Sequence, residues 1–295
     1  MVDPRPKFLK LTTRHWRLYN PAEYTGPIDL EREFEVPKTA FVPLHLWNVG
    51  HPEGPSYPTD RFAVDMGSPE DTEIAKQIIG EYLKPCLDAA RQAGLTVFHV
   101  EPDLIANKYP ISNLEWKPTD IPPYPEKWGN LPEDEDAEGP QSLACDDAPE
   151  IHWTDAIPGW CVERAELVHG PGYREWEGYQ QMDIVESCNP IEGEYVIKTT
   201  QQLDRICRKL GVVNLVYVGF TTQGCVLFSP GAMEPMSARG YRCMLIREAT
   251  HGVEFQDSRE ERLMTKSAIR LVEYKFGFTV GAADFIRACE AATGQ

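Results

Sequence analysis

Short apolar runs alternate with stretches of helical spacing along much of this chain, a pattern that predicts strands joined by helices. The first run, residues 39–47 (TAFVPLHLW), is expected to make a buried strand, followed by a loop of Asn48, Gly50, Pro52, Gly54 and Pro55. Ser68, Pro69, Glu70 and Asp71 then carry the marks of a helix start: a serine N-cap, proline at the first helical position and acids in the first turn. Ile74, Ile78, Tyr82, Cys86 and Ala90 recur at helical spacing behind it. Pro85 is placed to kink this helix, and Gly94 to end it before a strand over 95–100. Strand, helix and strand at this spacing imply a parallel pair.

The same rhythm resumes near the middle of the chain. A strand is expected over 194–198, then a helix over 200–210 with Leu203, Ile206, Cys207 and Leu210 on one face and Gly211 as its stop. An apolar strand within 214–226 leads to an irregular helix carrying Pro230 and Pro235 and ending at Gly240. A strand over 242–247 and an amphipathic helix over 256–276 follow, with Leu263, Ile269, Leu271 and Val272 as core residues, then a strand over 278–280 and a helix over 282–292. Strands alternating with helices predict a three-layer α/β/α arrangement around a mostly parallel sheet. At 295 residues with 42% hydrophobic side chains, a single domain with one sizeable core is expected.

Two regions interrupt that domain. Residues 1–37 mix Pro, Trp, Tyr and charge without clear periodicity and read as an arm lying on the domain or on a neighbouring subunit. Residues 102–193 form a long insertion rich in aromatic residues, proline and acids, including a solvated run from Glu133 to Asp136. Segments of this length within a domain serve as lids, binding surfaces or subunit contacts. Its tryptophans (116, 128, 153, 160 and 176) are costly to leave in water and are expected to be ordered against the core or a partner.

Composition narrows the partners. A formal charge of −17 argues against nucleic acid and against an anionic membrane surface. The eight cysteines are scattered, with no CxxC and no Cys/His pairing at zinc-finger spacing, which fits reduced thiols in a cytoplasmic protein. No apolar stretch is long enough for a membrane helix, and the first residues lack the apolar core of a signal peptide. The expected partner is a small-molecule substrate, with assembly into a homo-oligomer and without cofactor or metal.

The stretch with the most chemical content is 214–226 (NLVYVGFTTQGCV), in which an apolar strand meets a Gly-rich turn and delivers Cys225 where a helix should begin. Amide N–H groups of a first helical turn favour thiolate over thiol, so this position is expected to lower the cysteine pKa, and the same groups can hold an oxyanion. The structural alternative is that Cys225 packs as a small hydrophobe, as most free cysteines do.

This stretch, the small-residue segment running to Ala238, Arg239, Gly240 and Tyr241, and Glu248, Ala249 and Thr250 together resemble the isochorismatase-like cysteine hydrolases. The resemblance spans about 39–101 and 190–292 and leaves the insertion outside. It implies a hydrolase that cuts amides, ureides and related C–N bonds, with Cys225 as nucleophile. It also implies a cis peptide between Phe220 and Thr221, an oxyanion hole from the Thr221 and Cys225 N–H groups, and a pocket beside Trp47 and Phe220.

The family's general base is an Asp at the end of the first strand, where this chain has His45. Asp65, at the end of the short run 62–66, is the other candidate for that place, but it lacks the following Asn that Asn48 supplies after Trp47. Lys198 stands near the position of the family's lysine, although the segment that separates that lysine from the next helix is missing. Imidazole, with an ordinary pKa of about 6.5, can take a thiol proton, so a Cys225–His45 pair is chemically coherent. The alternatives are a satisfied core histidine and a catalytically inactive member kept as a binding or assembly module. His51 and His99 have no metal-ligand spacing with the acids near them. An acidic chain with an aromatic lid fits a neutral or cationic amide.

Overall fold

The computed structural model describes residues 7–18, 22, 26–58, 62–64, 66–109 and 160–294. Its strands are β1 (Phe8–His15), β2 (Ile28–Glu35), β3 (Thr39–Leu44), β4 (Thr96–Val100), β5 (Tyr195–Ile197), β6 (Asn214–Phe220), β7 (Arg242–His251) and β8 (Gly277–Val280). They form one sheet in the order β2-β1-β8-β7-β6-β3-β4-β5. Neighbours from β8 to β5 are parallel, while β1 runs antiparallel to both β8 and β2.

The helices are α1 (Pro69–Ile78), α2 (Lys84–Ala93), α3 (Asp103–Ala106), α4 (Trp160–His169), α5 (Thr200–Leu210), α6 (Cys225–Phe228), α7 (Met233–Ala238), α8 (Leu263–Leu271) and α9 (Ala282–Thr293). Alternation along the strands feeds a core on each face of the sheet. Phe41, Val97, Val216 and Met244 pack with Ala75, Leu83, Cys86 and Leu87 and with Phe285 and Cys289 of α9. Ala40, Val42, Phe98, Leu215 and Tyr217 pack on the opposite face with Leu203, Ile206, Met233, Met236 and Val272. Helices on both faces of a mostly parallel sheet make the expected three-layer fold.

Local signals placed several ends correctly. Ser68 Oγ accepts the Asp71 N–H at 3.0 Å, and Gly94 and Gly211 close α2 and α5 in the left-handed conformation, at φ 82° and 72°. Pro85 falls at the second residue of α2, directly after a π-helical turn over Ile79–Leu83. A widened turn accommodates a residue that has no N–H to donate.

Three expectations are corrected. The N-terminal arm is a pair of strands that extends the sheet, with Leu9, Leu11 and Thr13 of β1 turned inward and fully buried. The first parallel strand ends at Leu44 rather than at residue 47. The helix expected from residue 256 begins at Leu263, because the buried Glu254 carboxylate accepts the Met264 and Thr265 N–H groups at 3.1 and 2.9 Å and caps it there. Leu263 is therefore exposed, while Val272 is buried.

Much of the insertion, including Trp116, Trp128, Trp153 and the acidic run, lies outside the described residues, as does the Trp160 side chain. In its described part Tyr173, Trp176 and Tyr179 pack against the core. Among the described residues no helix is long and apolar enough to cross a membrane.

Candidate active site

Parallel strands bring their following residues to one edge of the sheet. The chain runs outward from β3 through β4 to β5 and then returns to β6 on the other side of β3, so the strand order reverses between β3 and β6. Ligand sites in open α/β sheets fall at such reversals, beyond the carboxyl ends of the strands. Here that edge carries Cys225 after β6, His45 after β3, Glu101 after β4 and Lys198 after β5.

The turn before Cys225 is held by its neighbours. Gly219 has φ 121°, and a Cβ there would lie 2.0 Å from the Leu44 carbonyl oxygen, so only glycine lets β6 pass β3 this closely. The peptide bond between Phe220 and Thr221 is cis. Thr222 N–H donates to the His251 carbonyl at 3.0 Å, Gln223 Nε2 donates to the Val253 carbonyl at 2.7 Å, and the N–H groups of Gly224 and Val226 donate to the Thr221 carbonyl at 3.2 and 3.1 Å. The end of β7 thus serves as the mould for the turn.

Cys225 is partly buried against the core face that holds Tyr217 and Met233. Burial raises its thiol pKa, opposed by hydrogen bonds from the Ser229 side chain and from the N–H groups of Thr221 and Cys225. The expected lowering is therefore overturned: α6 is four residues long, and desolvation outweighs its amides.

His45 leaves β3 with φ 52°, a left-handed conformation rare outside glycine. Its N–H donates to the Val100 carbonyl at 3.1 Å, and its ring stacks on Trp47 with centroids 5.0 Å apart and planes 22° apart. Its Nδ1 is buried and has no hydrogen-bond partner among the described residues. Burial lowers the imidazole pKa, against the charge of Glu101, which raises it.

Glu101 is the residue that sequence reasoning missed. It is 1% exposed, with Oε1 accepting the Leu46 N–H at 3.2 Å and Oε2 accepting the Trp47 indole N–H at 3.0 Å. Burial pushes its carboxyl up to about 7, while His45 and these two donors act to lower it. The available signal was an acid at the end of the apolar run 95–100.

The remaining candidates are more dispersed. Phe220 is buried in the core, and Trp47 is partly buried with its backbone bridged to Ile184. Asn48 exchanges hydrogen bonds with the Asp183 backbone, both at 2.9 Å, and so ties the loop after β3 to the insertion. The Lys198 ammonium lies 3.4 Å from Asn107 Oδ1 and 3.7 Å from Asp103 Oδ1. Asp65 lies outside the described residues, and residues 62–64 and 66 beside it form no strand.

A solved cysteine hydrolase from Pseudomonas syringae pv. phaseolicola matches this structure with a TM-score of 0.50 over 88% of this chain and 95% of its own, at 14% identity. The fold is isochorismatase-like. An isochorismatase family protein from Desulfovibrio vulgaris matches over 88% of this chain and 99% of its own, with a TM-score of 0.44 and 16% identity. No family model and no curated protein matches the sequence. In this isochorismatase-like fold, His45 and Glu101 occupy neighbouring strand ends at the sheet edge that carries the cysteine turn.

Proposed function

We propose that the chain is a cysteine-dependent hydrolase acting on a C–N bond of a small molecule, an amide, ureide or related group, with Cys225 as nucleophile and His45 as base. The observation that supports this reading is that Cys225 and His45 follow neighbouring parallel strands, β6 and β3, at the edge where the strand order reverses. The Thr221 and Cys225 N–H groups, in the turn that carries the sulfur, would hold the oxyanion that forms when sulfur adds to a carbonyl.

Thiol and imidazole rest neutral on this reading, because burial moves both pKa values away from the charged pair. The thiol proton passes to His45 as sulfur bonds to the carbonyl carbon, and the imidazolium then protonates the departing amine. Water hydrolyses the thioester, with His45 accepting its proton. Lys198 contributes a fixed positive charge at the end of β5.

A screen of small amides and ureides for ammonia release tests the proposal. Wild type is expected to turn over at least one of them and Cys225→Ala none; full turnover by Cys225→Ala overturns it. A second reading, an inactive binding or assembly module, draws on the stack of Trp47 over His45, which covers one face of the base. It requires that wild type release no ammonia from any member of the screen.

A further inference from the structure

The sheet order β6-β3-β4 sets His45 between the strand that leads to Cys225 and the strand that ends at Glu101. Leu44 pairs with Gly219 on one side and Val100 on the other, so the next residues of β3 and β4, His45 and Glu101, leave the sheet side by side. From that place Glu101 accepts from both residues after His45, and one of them, Trp47, stacks on the imidazole.

We infer that Glu101 is the positioning residue for His45: its two oxygens fix the turn over 45–47, and its negative charge steadies the imidazolium that forms when His45 takes the Cys225 proton. The inference rests on the hydrolase reading. In the step it serves, the thiol proton moves to the imidazole, the sulfur lone pair forms the S–C bond and the carbonyl π electrons move to oxygen. Glu101 exchanges no proton. His45 thus takes the proton at the end of β3, and the carboxylate at the end of β4 holds and charge-stabilises it from one strand away.

The groups around Glu101 agree with this role. His45 lowers the Glu101 pKa and Glu101 raises that of His45, so each charge favours the other. Asp183 acts in the opposite direction on Glu101 and is itself held by the Tyr109 hydroxyl at 2.7 Å and by Lys108 at 3.6 Å. With its carboxyl at about 7, Glu101 gains its charge as pH rises through neutrality.

The experiment follows Cys225 alkylation by iodoacetamide, by peptide mass, across about pH 5 to 9 in wild type, Glu101→Gln, Glu101→Asp and His45→Gln. The His45 ring protons are titrated by NMR in parallel and assigned by their loss in His45→Gln. Beyond the rise of about tenfold per pH unit that thiol ionisation alone gives, the wild-type rate is expected to rise about a further tenfold as Glu101 ionises, the worth of roughly one pKa unit of charge stabilisation. That step is expected to vanish in Glu101→Gln and to return in Glu101→Asp, and the wild-type His45 resonances should carry an inflection near the Glu101 titration. A Glu101→Gln profile that matches wild type overturns the inference, as does a His45 titration without that inflection, which needs no variant of Glu101 to fold. If His45→Gln leaves the alkylation rate unchanged, the hydrolase reading fails instead, and the NMR titration still decides whether Glu101 and His45 are coupled.

Discussion

Thr250 donates its hydroxyl proton to the Gly219 carbonyl at 2.7 Å, which leaves its oxygen to accept from the Thr222 hydroxyl, also at 2.7 Å. One side chain of β7 therefore holds both ends of the turn that carries Cys225. Thr250→Val keeps the shape and removes both bonds, leaving a buried carbonyl and a buried hydroxyl without partners. The expected loss is about 1–3 kcal/mol of unfolding free energy, read from urea denaturation. Thr222→Val, which removes one of the two bonds, should cost less.

Ser229 is the largest of the groups that oppose the burial of the Cys225 thiol. Ser229→Ala removes its hydrogen bond, so the thiol pKa should move further up and the thiolate become scarcer at any given pH. Iodoacetamide labelling of Cys225 at mildly alkaline pH is expected to slow about threefold, the worth of a modest hydrogen bond. Faster labelling would mean that the hydroxyl was donating nothing to the sulfur.

Glu194, the residue after the insertion, is bonded to α2 and β4. Its carboxylate accepts from Arg91 Nε and Nη2 at 2.7 and 2.9 Å and from His99 Nε2 at 2.9 Å. Burial acts to raise its pKa, but the His99 and Arg91 bonds outweigh it and hold the group at about 2. A carboxyl depressed below its ordinary 4.5 adds stability that is complete above that pH and is lost as pH falls through about 2. Glu194→Gln should therefore cost about 3 kcal/mol at neutral pH, with the deficit closing under strong acid in thermal melts.

Legibility followed locality. Ser68, Gly94 and Gly211 announce helix ends within a few residues of themselves, and each was readable. In β1, Leu9, Leu11 and Thr13 alternate inward, but the strand is flanked by charge and proline, and its partners lie at residues 28–35 and near 279. The start of α8 was hidden because its cap is Glu254, nine residues ahead of the helix. At the site, Cys225 and its turn could be read because the strand and the glycines are contiguous. Glu101 was missed although β3 and β4 were expected to pair, since its burial and its bonds to Leu46 and Trp47, 55 and 54 residues away, appear only on packing. The sign of the thiol shift required the burial, which only packing reveals.

Glu101 burdens the fold in the pH range where it would serve His45. Burial raises its carboxyl from an ordinary 4.5 to about 7, despite the lowering effects of His45, Leu46 and Trp47. A carboxyl raised on folding contributes stability that is complete below pH 4.5 and is lost as pH rises through about 7, so above neutrality the folded state carries a buried charge. The penalty at mildly alkaline pH is about 3 kcal/mol. Glu101→Gln escapes it and keeps one oxygen for Leu46 or Trp47, so it is expected to gain on wild type in unfolding free energy as pH rises from about 5 to 8. Urea denaturation at both ends of that range measures the change. A constant difference between the two proteins would show that Glu101 does not titrate there.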